Sequence, residues 1–387
     1  MRAAVGLVAL LAVGAALVSG GSRADLIRYR YLPETNMLQT VGAYGTERVV
    51  TVRSLGNPGL VDAQPGWLAR ARPLGSGAPP WARRMYERSL LALLALTDRR
   101  TGAVLAGARD GWAYVWPRDA GTVALAFASA GYRGEAKRIA DFLLGLDLGG
   151  AARFHADGSP VEGRDAQGDA AGWVAAAAQA ADVSVRPRSL PWRDRADYQE
   201  GDAGDYLANA VASTAAGPEG NLTRDPPARR LAVLEIRKRF RAPAGALRRE
   251  AEDEDSGIDS AAAWAVQPFP LPSLFPLVRR SLLRLASNST RFGIVPSESW
   301  AGGEDPWTAP TAWTAWSLAA LGERRAALRL MAELHRAATP AGLLPERVDA
   351  RTGIPTSTTP LAWSHAFAIL ALRQLWPRTA SNSRPRR

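Results

Sequence analysis

Glu346 stands between an apolar approach, Leu343-Leu344-Pro345, and a turn-rich segment, Asp349-Ala350-Arg351-Thr352-Gly353. That segment leads into Trp363-Ser364-His365 at the head of an apolar run. On a surface loop such an acid would only pair with Arg347 or Arg351. On a catalytic loop at the rim of a scaffold it would take or give a proton. A second stretch, Arg109 to Gly121, sets Trp112, Tyr114 and Trp116 just ahead of Arg118 and Asp119 at a helix start. Asp119 could serve only the helix dipole there, with Arg118 paired locally. The clustered aromatics favour another use. A carboxylate accepts from sugar hydroxyls, a guanidinium donates to them, and an indole covers the apolar face of a pyranose. A third stretch, Arg153 to Trp173, puts Gln167 and Asp169 at the start of an Ala-rich helix, where Asp165 or Asp169 could equally be a cap.

Composition narrows the chemistry. Cysteine is absent, which excludes disulfides, thiol nucleophiles and Cys-based metal sites. His155, His335 and His365 are too dispersed for a zinc site, so no metal or cofactor is expected and catalytic work falls to carboxylates. The 13 tryptophans outnumber the 8 tyrosines and 8 phenylalanines. Any one of them could simply fill a core; together they could also line a sugar site. The net charge is +11, and apart from Lys137 and Lys238 the cations are arginines, scattered with local knots such as Arg237 to Arg241. No basic stripe interleaves with aromatics, so a nucleic-acid partner is not expected.

Helices must position these residues. With 387 residues and 47 % hydrophobic content the chain can bury a large core. Arg2 precedes an uncharged run from Ala3 to Val18, closed by small residues near Ala24. Residues 1–24 therefore read as a signal peptide, or as a retained membrane anchor, and the rest as exported. Residues 25–79 form an N-terminal extension with one strand-like run, Glu47 to Leu55. From residue 80 to 378 about eleven segments carry apolar residues at helical spacing, joined by Gly/Pro-rich loops. The pattern has no fixed repeat, so a closed helical barrel is favoured over an open array. Residues 379–387 are a disordered basic tail.

The order of motifs resembles glycoside hydrolase family 15, the glucoamylase family. It runs through "YVWPRDAG", "ADGSPVEG", "DAQGD" and "PWTAPTAW" to "GLLPERVDARTG" and "TPLAWSHA", from about Glu87 to Trp376. The resemblance implies an all-α fold, a six-fold α/α barrel with the site at one end. It also implies inverting hydrolysis of terminal α-glucosidic bonds in an α-glucan or oligosaccharide, with no required metal. Carried over motif by motif, Glu346 matches the general base. Trp116, Arg118 and Asp119 match residues that hold the terminal glucosyl unit, Gln167 and Asp169 the pair opening the fourth helix, Trp307 a wall aromatic, and Trp363 the aromatic of the last helix. For the general acid, "ADYQEG" is the nearest match and gives Glu200, with Gln199 replacing a tryptophan and Gly201 a second glutamate. Glu298, in "VPSESW", is the alternative acid or a rim residue. The acid must stay protonated at working pH, and Asp197 or Asp202 would supply the negative charge that raises it. His365 is expected in the core or behind the site. Substrates on the same fold could instead be trehalose or isomalto- and dextran-type linkages, and the altered acid segment also fits a non-catalytic glycan-binding protein.

Overall fold

The computed structural model describes residues 30–32, 37–40, 48–51, 66–107, 111–184, 190–215, 227–339 and 342–378. The expected signal segment and basic tail lie outside the described residues. The N-terminal extension contributes a three-stranded antiparallel sheet, β1 (Arg30–Leu32), β2 (Met37–Thr40) and β3 (Arg48–Thr51), in the order β1-β2-β3. β3 falls within the strand-like run read from the sequence.

Among the described residues ten α-helices follow: α1 (Pro80–Leu96), α2 (Pro117–Ala130), α3 (Arg133–Leu144), α4 (Ala170–Ala180), α5 (Leu207–Ser213), α6 (Pro227–Arg239), α7 (Phe275–Ser287), α8 (Thr308–Ala320), α9 (Arg324–Ala337) and α10 (Ala362–Leu375). The segment expected as an eleventh helix, around Ala261 to Trp264, is a 3-10 turn spanning Ser260–Ala265. A two-stranded hairpin, β4 (Arg241–Ala242) with β5 (Ala246–Leu247), precedes it.

These elements close into two rings. α2 packs on α4, α4 on α5, α5 on the Ser260–Ala265 turn, that turn on α8, α8 on α10, and α10 back on α2. Five helices stand outside this six-membered ring. α1 lies against α10, α3 against α2 and α4, α6 against α5, α7 against the 3-10 turn, and α9 against α8 and α10. Among the described residues no outer helix lies between α4 and α5.

Sequence explains which ring each helix joins. The inner helices are rich in Ala, Gly and Thr and are buried on every face; all of α10 from Ala362 to Leu372 is buried. The outer helices α3, α7 and α9 keep a charged face in water and bury an apolar stripe, as Leu330, Met331 and Leu334 do on α9. Two glycines allow the inner ring to close. A Cβ at Gly121 of α2 would lie 2.9 Å from the Trp173 carbonyl oxygen, and one at Gly172 of α4 would lie 2.2 Å from that of Ala212 on α5. The barrel is filled rather than hollow. Trp173, Trp264, Trp313 and Phe367 meet edge to face, with Trp173 5.0 Å from Trp264 and Trp313 5.2 Å from Trp363.

Candidate active site

At one end of the barrel the N-termini of the inner helices converge. Trp116 is the N-cap of α2, Asp169 of α4 and Trp307 of α8, and Trp363 is in the first turn of α10. Pro117 opens α2, where a missing N–H costs nothing, and Gly131 closes it in the left-handed conformation. A cavity of about 150 Å³ opens here. Its walls include Trp112, Trp116, Arg118, Asp119, Tyr198, Trp307, Trp363 and the acids Glu200 and Glu346. A larger cavity, about 830 Å³, lies beside Gln179 and Gln267 and has no acid in its lining.

The floor of the pocket is Arg118. Its Nη1 donates to Gln167 Oε1 (2.8 Å) and Asp169 Oδ2 (2.9 Å), and its plane lies 4.8 Å from the Trp363 ring. Asp119 is 3.8 Å from the Arg118 Nε. Burial pushes the Asp119 carboxyl up to about 7, against the pull of Arg118. Gln167 and Asp169 do not line the cavity. They lie behind Arg118, buried, and Gln167 Nε2 also donates to the Asp197 carbonyl (3.0 Å). They meet the pocket through Arg118, whose pocket-facing guanidinium they fix.

Glu346 is held at both its backbone and its carboxylate. Its N–H donates to the Thr358 carbonyl (2.9 Å), and its carbonyl accepts from Thr308 N–H at the start of α8 (3.0 Å). Trp112 Nε1 donates to Oε1 (3.3 Å), and Ser357 Oγ donates to Oε2. Burial raises the carboxyl, and these two donors oppose the rise. Ser357, Thr358 and Thr359 precede α10 and are of the residue types that cap helices. The N-cap of α10 is instead Leu361, and the Ser357 hydroxyl is spent on Glu346. His365 is fully buried and held far below its usual range, at about 3, by burial. Its Nε2 accepts from Leu344 N–H (3.0 Å), so Nδ1 carries the proton and donates to Ser89 Oγ (3.0 Å). A neutral imidazole thus pins the chain two residues ahead of Glu346.

Glu200 lines the same cavity, in the left-handed conformation with φ of 58°. Trp116 Nε1 donates to its Oε1 (3.1 Å), and Arg164 pairs with its Oε2. The loop carrying it is anchored from below. Asp197 accepts from Arg249 Nε (3.1 Å) and Nη2 (3.0 Å), and Tyr198 Oη donates to Asp259 Oδ1 (2.6 Å). Asp197 is therefore neutralised by Arg249 and does not provide the bare negative charge expected beside Glu200. Asp202 is exposed and absent from the cavity lining. Glu298 is elsewhere too: its carboxylate takes Arg284 Nε (2.6 Å) and Nη2 (3.1 Å) and the Ile258 N–H (3.2 Å). It is thus a structural ion pair outside the cavity, and an alternative acid is not found there.

Sequence reasoning missed Arg153, Arg164 and Tyr198 as pocket residues, and the contact of Ser357 with Glu346. No local pattern marks them; an antiparallel bridge between Val115 and Phe154 brings the Arg153 segment beside Trp116.

Two comparisons bear on this architecture. Residues 80–146, which contain the Trp-Pro-Arg-Asp motif, match the model of glycosyl hydrolases family 15. No curated protein sequence matches the chain. Among solved structures, a glycosidase variant in complex with glucose aligns with TM-score 0.61 at 20 % identity, over 77 % of this chain and 99 % of that one. A bacterial glucoamylase complexed with acarbose gives TM-score 0.60 at 18 % identity, over 84 % and 60 %. The glucoamylase from Saccharomycopsis fibuligera gives 0.58 at 14 %, over 76 % and 94 %. The fold is that of the glucoamylase-like α/α-barrel glycosidases. The resemblance to family 15 read from the motifs is borne out over residues 80–146, and the α/α-barrel fold that it implies is borne out by the solved structures.

Proposed function

We propose that this protein hydrolyses terminal α-glucosidic bonds of α-glucans or oligosaccharides with inversion, Glu346 acting as general base and Glu200 as general acid. The observation that carries this reading is that the two carboxylates line one cavity, each oriented by a separate indole, above the buried Arg118 and Asp119. In such a reaction the acid gives its proton to the glycosidic oxygen as the C–O bond breaks. A water attacks the opposite face of the sugar and loses its proton to the base. Arg118, Asp119, Trp307 and Trp363 hold the terminal unit, hydroxyls to the polar pair and ring face to the indoles. Linkage follows from the walls around the second unit, so trehalose and isomalto- or dextran-type bonds remain within the same proposal.

A second reading is a glycan-binding protein without turnover. It is favoured by Glu200, whose two oxygens are occupied by Trp116 and Arg164. Time-resolved proton NMR separates the two, using maltotriose, isomaltotriose and trehalose with the purified protein. β-Glucose as the first anomer released from maltotriose or isomaltotriose, or α- and β-glucose in equal amounts from trehalose, supports inversion and identifies the linkage. α-Glucose without β-glucose as the first product rules out inversion, and sugar binding without release supports the second reading. Export is part of the proposal, resting on the uncharged run Ala3 to Val18. N-terminal sequencing of the mature protein checks it: a start near Asp25 supports a cleaved signal, and a start at Met1 excludes one.

A further inference from the structure

Arg153 and Arg164 face the pocket, yet the chemistry proposed above uses neither. The Arg153 guanidinium lies over the rings of Tyr114 (4.8 Å) and Trp116 (5.7 Å). Its Nε is buried without a hydrogen-bond partner, and among the described residues no carboxylate pairs with it. Arg164 stands near enough to be affected: burial and then the charge of Arg153 push its guanidinium down, while Glu346 opposes them. Arg164 already pairs with Glu200, so the unshared charge at this wall is that of Arg153. Two like charges side by side in a partly dry pocket, one of them unpaired, form an incomplete arrangement that an anion completes. A guanidinium held between two aromatic rings keeps its N–H fork free for an acceptor, which suits carboxylate, phosphate or sulfate oxygens.

Depth decides which sugar would carry the anion. Arg118 and Asp119 lie at the bottom, each 4 % exposed. The Arg164 side chain is 39 % exposed and lies at the mouth. A terminal unit filling the bottom puts its leaving group at the mouth. We propose that Arg153, together with Arg164, forms a subsite for an anionic group on the leaving-group side of the scissile bond, so that the favoured substrate is an α-glucoside of an acidic sugar. This rests on the glycosidase reading of the pocket.

The test compares four disaccharides that share a non-reducing α-glucosyl unit and differ at C6 of the second unit: hydroxymethyl, carboxylate, phosphate and sulfate. Calorimetric binding and kcat/KM are both measured, for wild type, Arg153→Gln and Arg153→Lys. Expected are about tenfold or more tighter binding and faster turnover for at least one anionic member, the size of a charge-assisted hydrogen bond. Arg153→Gln brings the anionic-to-neutral ratio near one, and Arg153→Lys retains part of it, which loss of stacking alone would not do. The best anion identifies the group. A ratio near one in wild type, or one unchanged by Arg153→Gln, overturns the subsite while the glycosidase reading stands on neutral turnover. Arg153-dependent anion binding without hydrolysis upholds the subsite and overturns the glycosidase reading. No binding and no hydrolysis overturns both.

Discussion

Glu346 is fixed by groups from three directions: Trp112 from the loop before α2, Ser357 from the loop before α10, and Thr308 from the start of α8. None of these contacts is close in sequence to the acid itself. In the proposed role of base it must be ionised and aimed; the two donors aim its oxygens and favour the ionised form against burial. Glu346→Gln keeps the size and can keep the Trp112 hydrogen bond, so the melting temperature should barely move while kcat falls by roughly 10²- to 10⁴-fold. A near-normal kcat would remove Glu346 from the mechanism. Glu200→Gln should separate substrates by leaving group. Natural glucosides need the proton and slow by a comparable factor, whereas aryl glucosides with good leaving groups slow much less. Equal slowing of both classes would mean that Glu200 positions Trp116 and Arg164 rather than donating a proton.

At the scale of elements, the site exists because six inner segments begin at the same end of the barrel. Their positive dipole ends point toward the pocket, where acids gather. This depends on close approach, and Gly172 is the sharpest case. Its added methyl would meet backbone, not a side chain that can swing away. Gly172→Ala should cost about 1–3 kcal/mol through overpacking, read as a lowered melting temperature. Gly134→Ala on α3, whose nearest neighbour is the end of Arg138 at 3.8 Å, should be neutral or stabilising. Equal effects at the two positions would argue against a tight α4–α5 contact.

For the molecule as a whole, buried acids tie stability to pH. Burial pushes both Asp119 and Asp259 up to about 7, helped by a nearby carboxylate in each case, Asp169 beside Asp119 and Asp197 beside Asp259. In the unfolded chain both ionise near pH 4. Between about pH 4 and 7 the native state therefore holds more protons than the unfolded state, and the contribution of these groups to stability declines as pH rises. It is fully present below about pH 4 and lost as pH passes 7. Thermal melts from pH 5 to 8 should show Asp259→Asn flattening the decline relative to the parent, since an amide has no charge to bury. Parallel profiles would show that Asp259 is already ionised in the native protein.

The sequence by itself determined the helical scaffold, the start of α2 and the two stretches, around Arg118-Asp119 and around Glu346, that reach the pocket. Those depend on local physics: 3.6-residue periodicity, Pro117 and Gly131 as start and stop, and an acid stranded between an apolar approach and a turn. The Trp116-Arg118-Asp119 group and Glu346 were legible for that reason. Only the tertiary structure decided that Gln167 and Asp169 hold Arg118 from behind, that Glu298 belongs to Arg284, and that Ser357 serves Glu346 rather than a helix cap. It alone brought Arg153 and Arg164 to the pocket wall. Each of these depends on which groups meet across more than ten residues of chain. A carboxylate, a hydroxyl or a guanidinium takes whichever partner the closed barrel brings within about 3 Å, and no local pattern encodes that choice.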